Sequence, residues 1–339
     1  MTYRLSLLDK SPIAPGSTGA EALALTLDYA RLADRLGYHR FWLAEHHALP
    51  SLASAAPEIL IAQIAALTRR IRVGSGGVLL QHYSAYKVAE LFSVLAALAP
   101  GRIDLGIGKS PGGLPLATRA LQRELHPDSA RQIDRKLSEL AEWLSGGRDG
   151  VAIQPRQAIA PETFLLGGSP GSAERAARLG WNFVHAGHQD GDRGNTLETL
   201  SRFESIAGYR PAIAVQAFAA PSRAEAEDRV AGLKVVRLHL PDGHAVNLGS
   251  EEAALDYARQ YGATEWGIEE KQPTVIAGYD GARDGDGFFC LNFRADRARE
   301  IMAAIAQPGF AEFDVTGRPA WSGVLGMVDY STRHDEFMT

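Results

Sequence analysis

Glu45-His46-His47, a carboxylate followed by two imidazoles, comes directly after the apolar run Phe41-Trp42-Leu43-Ala44. Strands of α/β proteins normally finish in turn residues, because a buried ionisable group is costly unless it is paired. Three such groups in a row predict that this strand ends in a cleft where chemistry happens. Imidazole is the side chain best matched to proton transfer near neutral pH. Strand alternation puts His46 on one face and Glu45 with His47 on the other. Neighbours pointing opposite ways do not converge on one ion, so no metal site is expected. Histidines satisfied by loop carbonyls are the bland alternative.

Three further stretches could serve such a cleft. Ile71-Arg72-Val73-Gly74-Ser75-Gly76-Gly77-Val78 places three glycines in a buried strand. Glycine there gives up packing, so another backbone must approach, a bulge must form, or a flat ligand must rest against it. Gly106-Ile107-Gly108-Lys109-Ser110 has the tail of a phosphate loop, yet position 103, where its first glycine belongs, is Ile103. What survives is a cationic loop at a strand end, with Lys109 either a ligand or simply solvated. Leu166-Gly167-Gly168-Ser169-Pro170-Gly171-Ser172 leads into a helix predicted over Ser172–Leu179, with Ser172 as its N-cap. Helix starts attract anions, which makes Ser169 and Ser172 candidates for a phosphate site.

The elements that must position these residues alternate. Strands are predicted at Tyr3–Leu8, His39–Ala44, Ile71–Leu80, Arg102–Gly108, Thr163–Gly167, Asn182–Ala186 and Ala212–Phe218. Helices are predicted at Ala20–Leu36 (closed by Gly37), Pro57–Leu67, Tyr86–Ala99 and Ser129–Leu144, with one from Arg223 to about Leu238. Gly287–Phe293 supplies an eighth strand. Eight βα units without a glycine fingerprint after the first strand predict one domain over 1–339, a (β/α)8 TIM barrel rather than an open sheet. The looser stretch at about 240–286, with a helix-like piece at Glu251–Tyr261, is expected to be an insertion or lid between strands seven and eight.

The bulk numbers exclude several classes. The 339 residues are 45% hydrophobic with a formal charge of −5, which gives no reason to expect nucleic acid. No apolar run is long enough to span a bilayer and no signal peptide is visible, so a cytoplasmic protein is expected. The single cysteine, Cys290, excludes an internal disulfide and reads as a small buried hydrophobe.

Taken in order, the motifs resemble the bacterial luciferase-like flavin monooxygenases. The resemblance is carried by Phe41-Trp42-x-x-Glu45-His46-His47, Ala56–Ile61, Arg70–Val78, His82-Tyr83-Ser84, Lys87–Glu90 and Pro100–Gly106. It continues more loosely through Gly167–Trp181. The opening Leu7-Leu8-Asp9-Lys10-Ser11-Pro12 is similar to a subgroup with members in antibiotic tailoring pathways. The resemblance implies an FMN-dependent (β/α)8 barrel, often a dimer. It makes His46 the group facing the flavin ring, with Glu45 a carboxylate beneath it as a second catalytic residue. Ser75, Gly76 and Gly77 fall at the ring, the last two matching a small pair joined by a cis peptide. Gly108, Lys109, Gly168, Ser169 and Ser172 fall around the phosphate, with Lys109 where relatives carry arginine.

The resemblance further implies that reduced FMN reacts with O2 to a flavin C4a-hydroperoxide that oxidises a small organic substrate. No nicotinamide signature is visible, so a separate flavin reductase is expected to supply the reduced cofactor. An oxidoreductase using deazaflavin F420 and a non-catalytic FMN-binding protein are the alternatives. The broad apolar stripes of helices Pro57–Leu67 and Tyr86–Ala99 point to a homodimer.

Overall fold

Strand β1 (Ser6–Asp9) is followed by helix α1 (Gly19–Leu36), which shows how the sequence writes its own boundaries. Thr18 caps its start, exchanging hydrogen bonds with Glu21 in a capping box. Gly37 ends it in the left-handed conformation (φ 80°), which a side chain would resist. The computed structural model describes residues 4–110, 112–123, 132–156, 158–188 and 192–216, then 222, 225, 228, 235–239, 245–248, 251–261, 267–271, 287–290, 307 and 323–326.

The βα alternation continues through β2 (Arg40–Leu43), α2 (Pro57–Leu67), β3 (Arg72–Ser75), β4 (Val78–Leu79), α3 (Ala85–Leu98) and β5 (Ile103–Gly108). After α4 (Pro115–Leu121) and α5 (Ile133–Ser145) come β6 (Glu162–Gly167), α6 (Pro170–Arg178), β7 (Asn182–His185), α7 (Arg193–Ala207) and β8 (Ala212–Ile213). These strands form one parallel sheet in the order β1-β2-β3-β5-β6-β7-β8, with β4 continuing β3 alongside β5. All seven strands predicted before residue 220 are present. The sheet curls: Leu8 of β1 packs with Trp42, Phe164 and Val184 of β7 in one apolar cluster. At about 4.8 Å per strand, a flat sheet would hold β1 and β7 roughly 24 Å apart.

At its amino edge the sheet is locked by charge. Asp104, fully buried, accepts from Trp42 Nε1 at 2.8 Å and from Arg72 at 2.6 and 2.9 Å, with Arg40 Nε 3.0 Å away. Glu162 pairs with both arginines. Arg102 ties α2 to the sheet through Ala65 O, Thr68 and Ile71 O. Asp104 and Arg102, part of the Pro100–Gly106 motif, are therefore scaffold.

The chain divides into two compact units. The first, residues 1–13, 17–215 and 259–262, contains the parallel sheet. The second holds β9 (Val235–His239), β10 (Ala245–Leu248), most of α8 (Glu251–Tyr261), β11 (Gly267–Lys271), β12 (Gly287–Cys290) and β13 (Gly323–Gly326). β9 is the centre of a three-stranded antiparallel sheet with β10 and β11. This corrects the helix predicted to reach Leu238, since Val235-Val236-Arg237-Leu238-His239 alternates and is rich in valine. Gly287–Cys290, predicted as the eighth barrel strand, is a strand but pairs with β13 in a separate parallel sheet. Among the described residues no ladder joins β8 to β1. Most of the proposed lid at 240–286, the tail beyond 309 apart from β13, and the end of the predicted strand Gly287–Phe293 lie outside the described residues.

Candidate active site

Parallel strands put all their carboxyl ends on one edge, and the residues singled out by sequence lie there. Glu45, His46 and His47 follow β2, Gly76 follows β3, Lys109 follows β5, and Gly168 with Ser169 follows β6.

His46 is held by its backbone, whose N–H donates to Ser54 O at 2.9 Å. Its side-chain Nδ1 is buried without a hydrogen-bond partner. Burial first, then the charges of Lys10, His47 and His188, lower its pKa to about 4, with Glu45 opposing. The imidazole is therefore neutral at neutral pH and has a free ring nitrogen.

Glu45 and His47 share a side, as alternation predicts, and are joined at 2.7 Å. Glu45 is 3% exposed and its oxygens are already engaged. Besides His47, it accepts from Tyr83 Oη at 2.6 Å and from the Leu79 N–H at 3.0 Å. Its place is that of a hub fixing the loop after β2 to the end of β4. Burial and the Glu45 carboxylate raise the Tyr83 pKa, so the phenol stays protonated and donates. The His47 N–H bonds Gly112 O at 2.8 Å, closing the loop after β5 over the same place.

The glycines of the third strand have mostly structural causes. The peptide Gly76–Gly77 is cis. A Cβ on Gly74 would lie 2.4 Å from Asp104 O, and one on Gly77 2.8 Å from Gly106 O and Gly108 N. The register against β5 slips by one residue between β3 and β4, a bulge. The approaching backbone is thus β5, and Gly74 and Gly77 do not by themselves require a ligand. Gly76 differs: half-buried, it lies against Leu8 and Trp42 of the concave face. Ser75 has its hydroxyl committed to the neighbouring strand. It is fully buried, and its hydroxyl donates to Gly106 O at 2.8 Å and accepts from Gly106 N at 3.1 Å. That hydroxyl clamps β3 to β5.

Lys109, Ser169 and Ser172 come together. Lys109 Nζ donates to Ser172 Oγ, which lies 3.0 Å from Ser169 Oγ. The predicted N-cap is corrected: α6 starts at Pro170, so Ser169 is the cap residue and Ser172 lies inside the first turn. Pro170 suits the first helical position, where no N–H is needed. A Cβ on Gly167 would strike Ser172 Cβ at 2.6 Å, so that glycine makes room for the serine. Gly168 lies in open space, and its carbonyl accepts from Asn195 at 2.7 Å. Gly108 packs near Leu79, where a Cβ would come within 3.2 Å. Burial and Arg175 lower the Lys109 pKa, against Asp134.

Tyr83, Lys10 and His188 were not among the site residues expected from the sequence. His188 follows the apolar strand β7, the arrangement that marked His46, and Lys10 follows β1 in the same manner. That repetition was the available signal.

The model of the luciferase-like monooxygenase family matches residues 1–273. The chain belongs to the luciferase-like monooxygenase family. It is 46% identical over 291 residues to an N-acetyl-S-alkylcysteine monooxygenase of Bacillus subtilis (strain 168), covering 81% of this chain and 85% of the relative. Among solved structures it is similar to apo-MsnO8, with a TM-score of 0.60, 32% identity and coverage of 98% of this chain and 95% of that one. The FMN-bound oxygenating constituent of the Pseudomonas putida 3,6-diketocamphane monooxygenase shares the fold, with a TM-score of 0.52 at 21% identity over 68% of this chain and 72% of that one. A second family model, the N-terminus of BPG-independent phosphoglycerate mutase, matches residues 239–332. One such mutase, from Paracoccus denitrificans (strain Pd 1222), is 44% identical over 190 residues. Those residues are 56% of this chain and only 29% of the mutase, too little to carry its activity over.

Proposed function

We propose that this protein is an FMN-dependent monooxygenase acting on a small organic molecule at the carboxyl edge of the parallel sheet. The observation that carries the reading is the convergence on that edge of two separate provisions. One is the Lys109–Ser172–Ser169 chain at the start of α6, and the other is the neutral His46 with its unpartnered Nδ1. The residues present fit FMN. A phosphate would be held by Lys109, Ser169 and Ser172, and an aromatic ring would meet Gly76, Trp42 and His46. Reduced FMN supplies the electrons that divide O2 between substrate and water.

The chain's own residues then have distinct tasks. His46 accepts or returns a proton at Nδ1, because it is uncharged at working pH. Glu45 positions His47, Tyr83 and the Leu79 backbone and acts through them. Trp42, Phe164, Leu8 and Val184 keep water from the concave face. The relative's name supports an N-acylated amino acid with a thioether as the first substrate to try.

The same reading includes closure to a full (β/α)8 barrel, a separate flavin reductase and a cytoplasmic homodimer. Ile59 of α2 (67% exposed) and Leu98 of α3 (70%) support the dimer. None of the helices is long and apolar enough to cross a membrane, among the described residues.

The test is turnover of N-acetyl-S-methylcysteine with photoreduced FMN under isotopically heavy O2. One labelled oxygen in the product is expected. Turnover without O2 on reduced F420 would instead place the chain with the deazaflavin enzymes, and tight FMN binding with no product would leave a binding protein.

A further inference from the structure

Three nitrogen-bearing side chains follow strands at the same edge, two of them on the paired strands β1 and β2. Lys10 follows β1, His46 follows β2 and His188 follows β7. The charge of Lys10 acts on both rings, lowering His46 and His188. Burial is the leading cause for all three, lowering Lys10 and bringing each histidine to about 4.

The carboxylates nearest in sequence are turned to other work. Asp9 accepts the Ser11 N–H at 2.9 Å and bonds the Thr26 side chain. Glu45, which does act on His46, is taken up by His47, Tyr83 and Leu79. Among the described residues Lys10 has no ion pair, and His46 Nδ1 has no partner. Lys10 is half-buried, and an ammonium partly withdrawn from water without a counter-ion is costly, a cost that an anionic ligand would offset. The cluster is also distinct from the Lys109 cradle, which lies at the ends of β5 and β6.

We propose that Lys10 and His188, together with His46, seat a carboxylate carried by the organic substrate, so that this enzyme selects anionic molecules. The proposal rests on the reading that a small molecule is oxidised at this edge. Lys10 supplies the charge and His46 an N–H donor through its other ring nitrogen, while His188, whose ring bonds the Ala214 carbonyl, lines the seat beside them. Nothing in this assignment uses the cofactor's phosphate.

The test is calorimetric titration of the full chain with N-acetylmethionine and with its carboxamide, with and without FMN. The acid is expected to bind at least about tenfold tighter than the amide, the size of one charge-assisted hydrogen bond. Lys10→Met should abolish that preference by weakening the acid alone, Lys10→Arg should keep most of it, and FMN affinity should be unchanged in both. Circular dichroism of each variant checks the fold. Acid binding no tighter than amide, including no binding of either, overturns the seat. So does a Lys10→Met protein that loses acid, amide and FMN together. Acid preference in a protein that never turns over with reduced FMN would retain the seat and remove the monooxygenase reading. Turnover without acid preference would do the reverse.

Discussion

His46 gives the structure a measurable pH signature. In the unfolded chain its imidazole titrates near the ordinary value of 6.5, while in the folded protein it resists protonation down to about 4. Between those values the unfolded state binds the extra proton, so stability is full above pH 6.5 and is lost as pH falls through the window to about 4. A shift of about 2.5 pH units at about 1.4 kcal/mol each corresponds to roughly 3 kcal/mol. Replacing the imidazole by an amide removes this term. Urea unfolding of wild type and His46→Gln, followed by circular dichroism from pH 7.5 to 4, isolates it in the difference. Asp9 and Asp104, whose carboxyls burial pushes upward, act alike in both proteins and cancel. The variant should lose about 3 kcal/mol less than wild type across the window. Parallel losses, within about 0.5 kcal/mol, would show that the imidazole is not held neutral and is unfit for the role given to it.

Other outcomes follow from particular contacts. Asp104→Asn leaves the half-buried Arg40 and Arg72 with Glu162 as their remaining carboxylate, and should destabilise by about 1–3 kcal/mol in urea unfolding. Gly77→Ala drives a Cβ into the backbone of β5 and should cost about 1–3 kcal/mol, whereas Gly168→Ala, in open space, should stay within about 0.5 kcal/mol. Lys109→Met should weaken FMN binding about tenfold or more in fluorescence titration while leaving riboflavin untouched, because only the phosphate loses its partner.

The first two-thirds of the fold was legible because apolar periodicity alternates cleanly between strand and helix, and its punctuation is chemically explicit. Gly37 stops α1 with a positive φ, and Pro57 opens α2. The second unit was less legible: Val235–His239 and Gly267–Lys271 are short antiparallel strands whose pairing depends on distant partners. In the site, His46 and the Lys109–Ser172 pair stood out by residue type and position. The partner of the Ser75 hydroxyl was not legible, because a hydroxyl beside glycines looks the same whether it faces a ligand or a neighbouring strand. Lys10 and His188 went unnoticed because their significance lies in meeting across the curled sheet, from positions 178 residues apart.

The central claim, that Lys109, Ser169 and Ser172 form the phosphate seat of a flavin site, is tested most directly by comparing FMN with riboflavin on the wild-type protein. Equilibrium fluorescence titration should give at least about tenfold tighter binding for FMN, with the advantage falling as salt rises. Equal affinities, or no binding of either flavin, would contradict it.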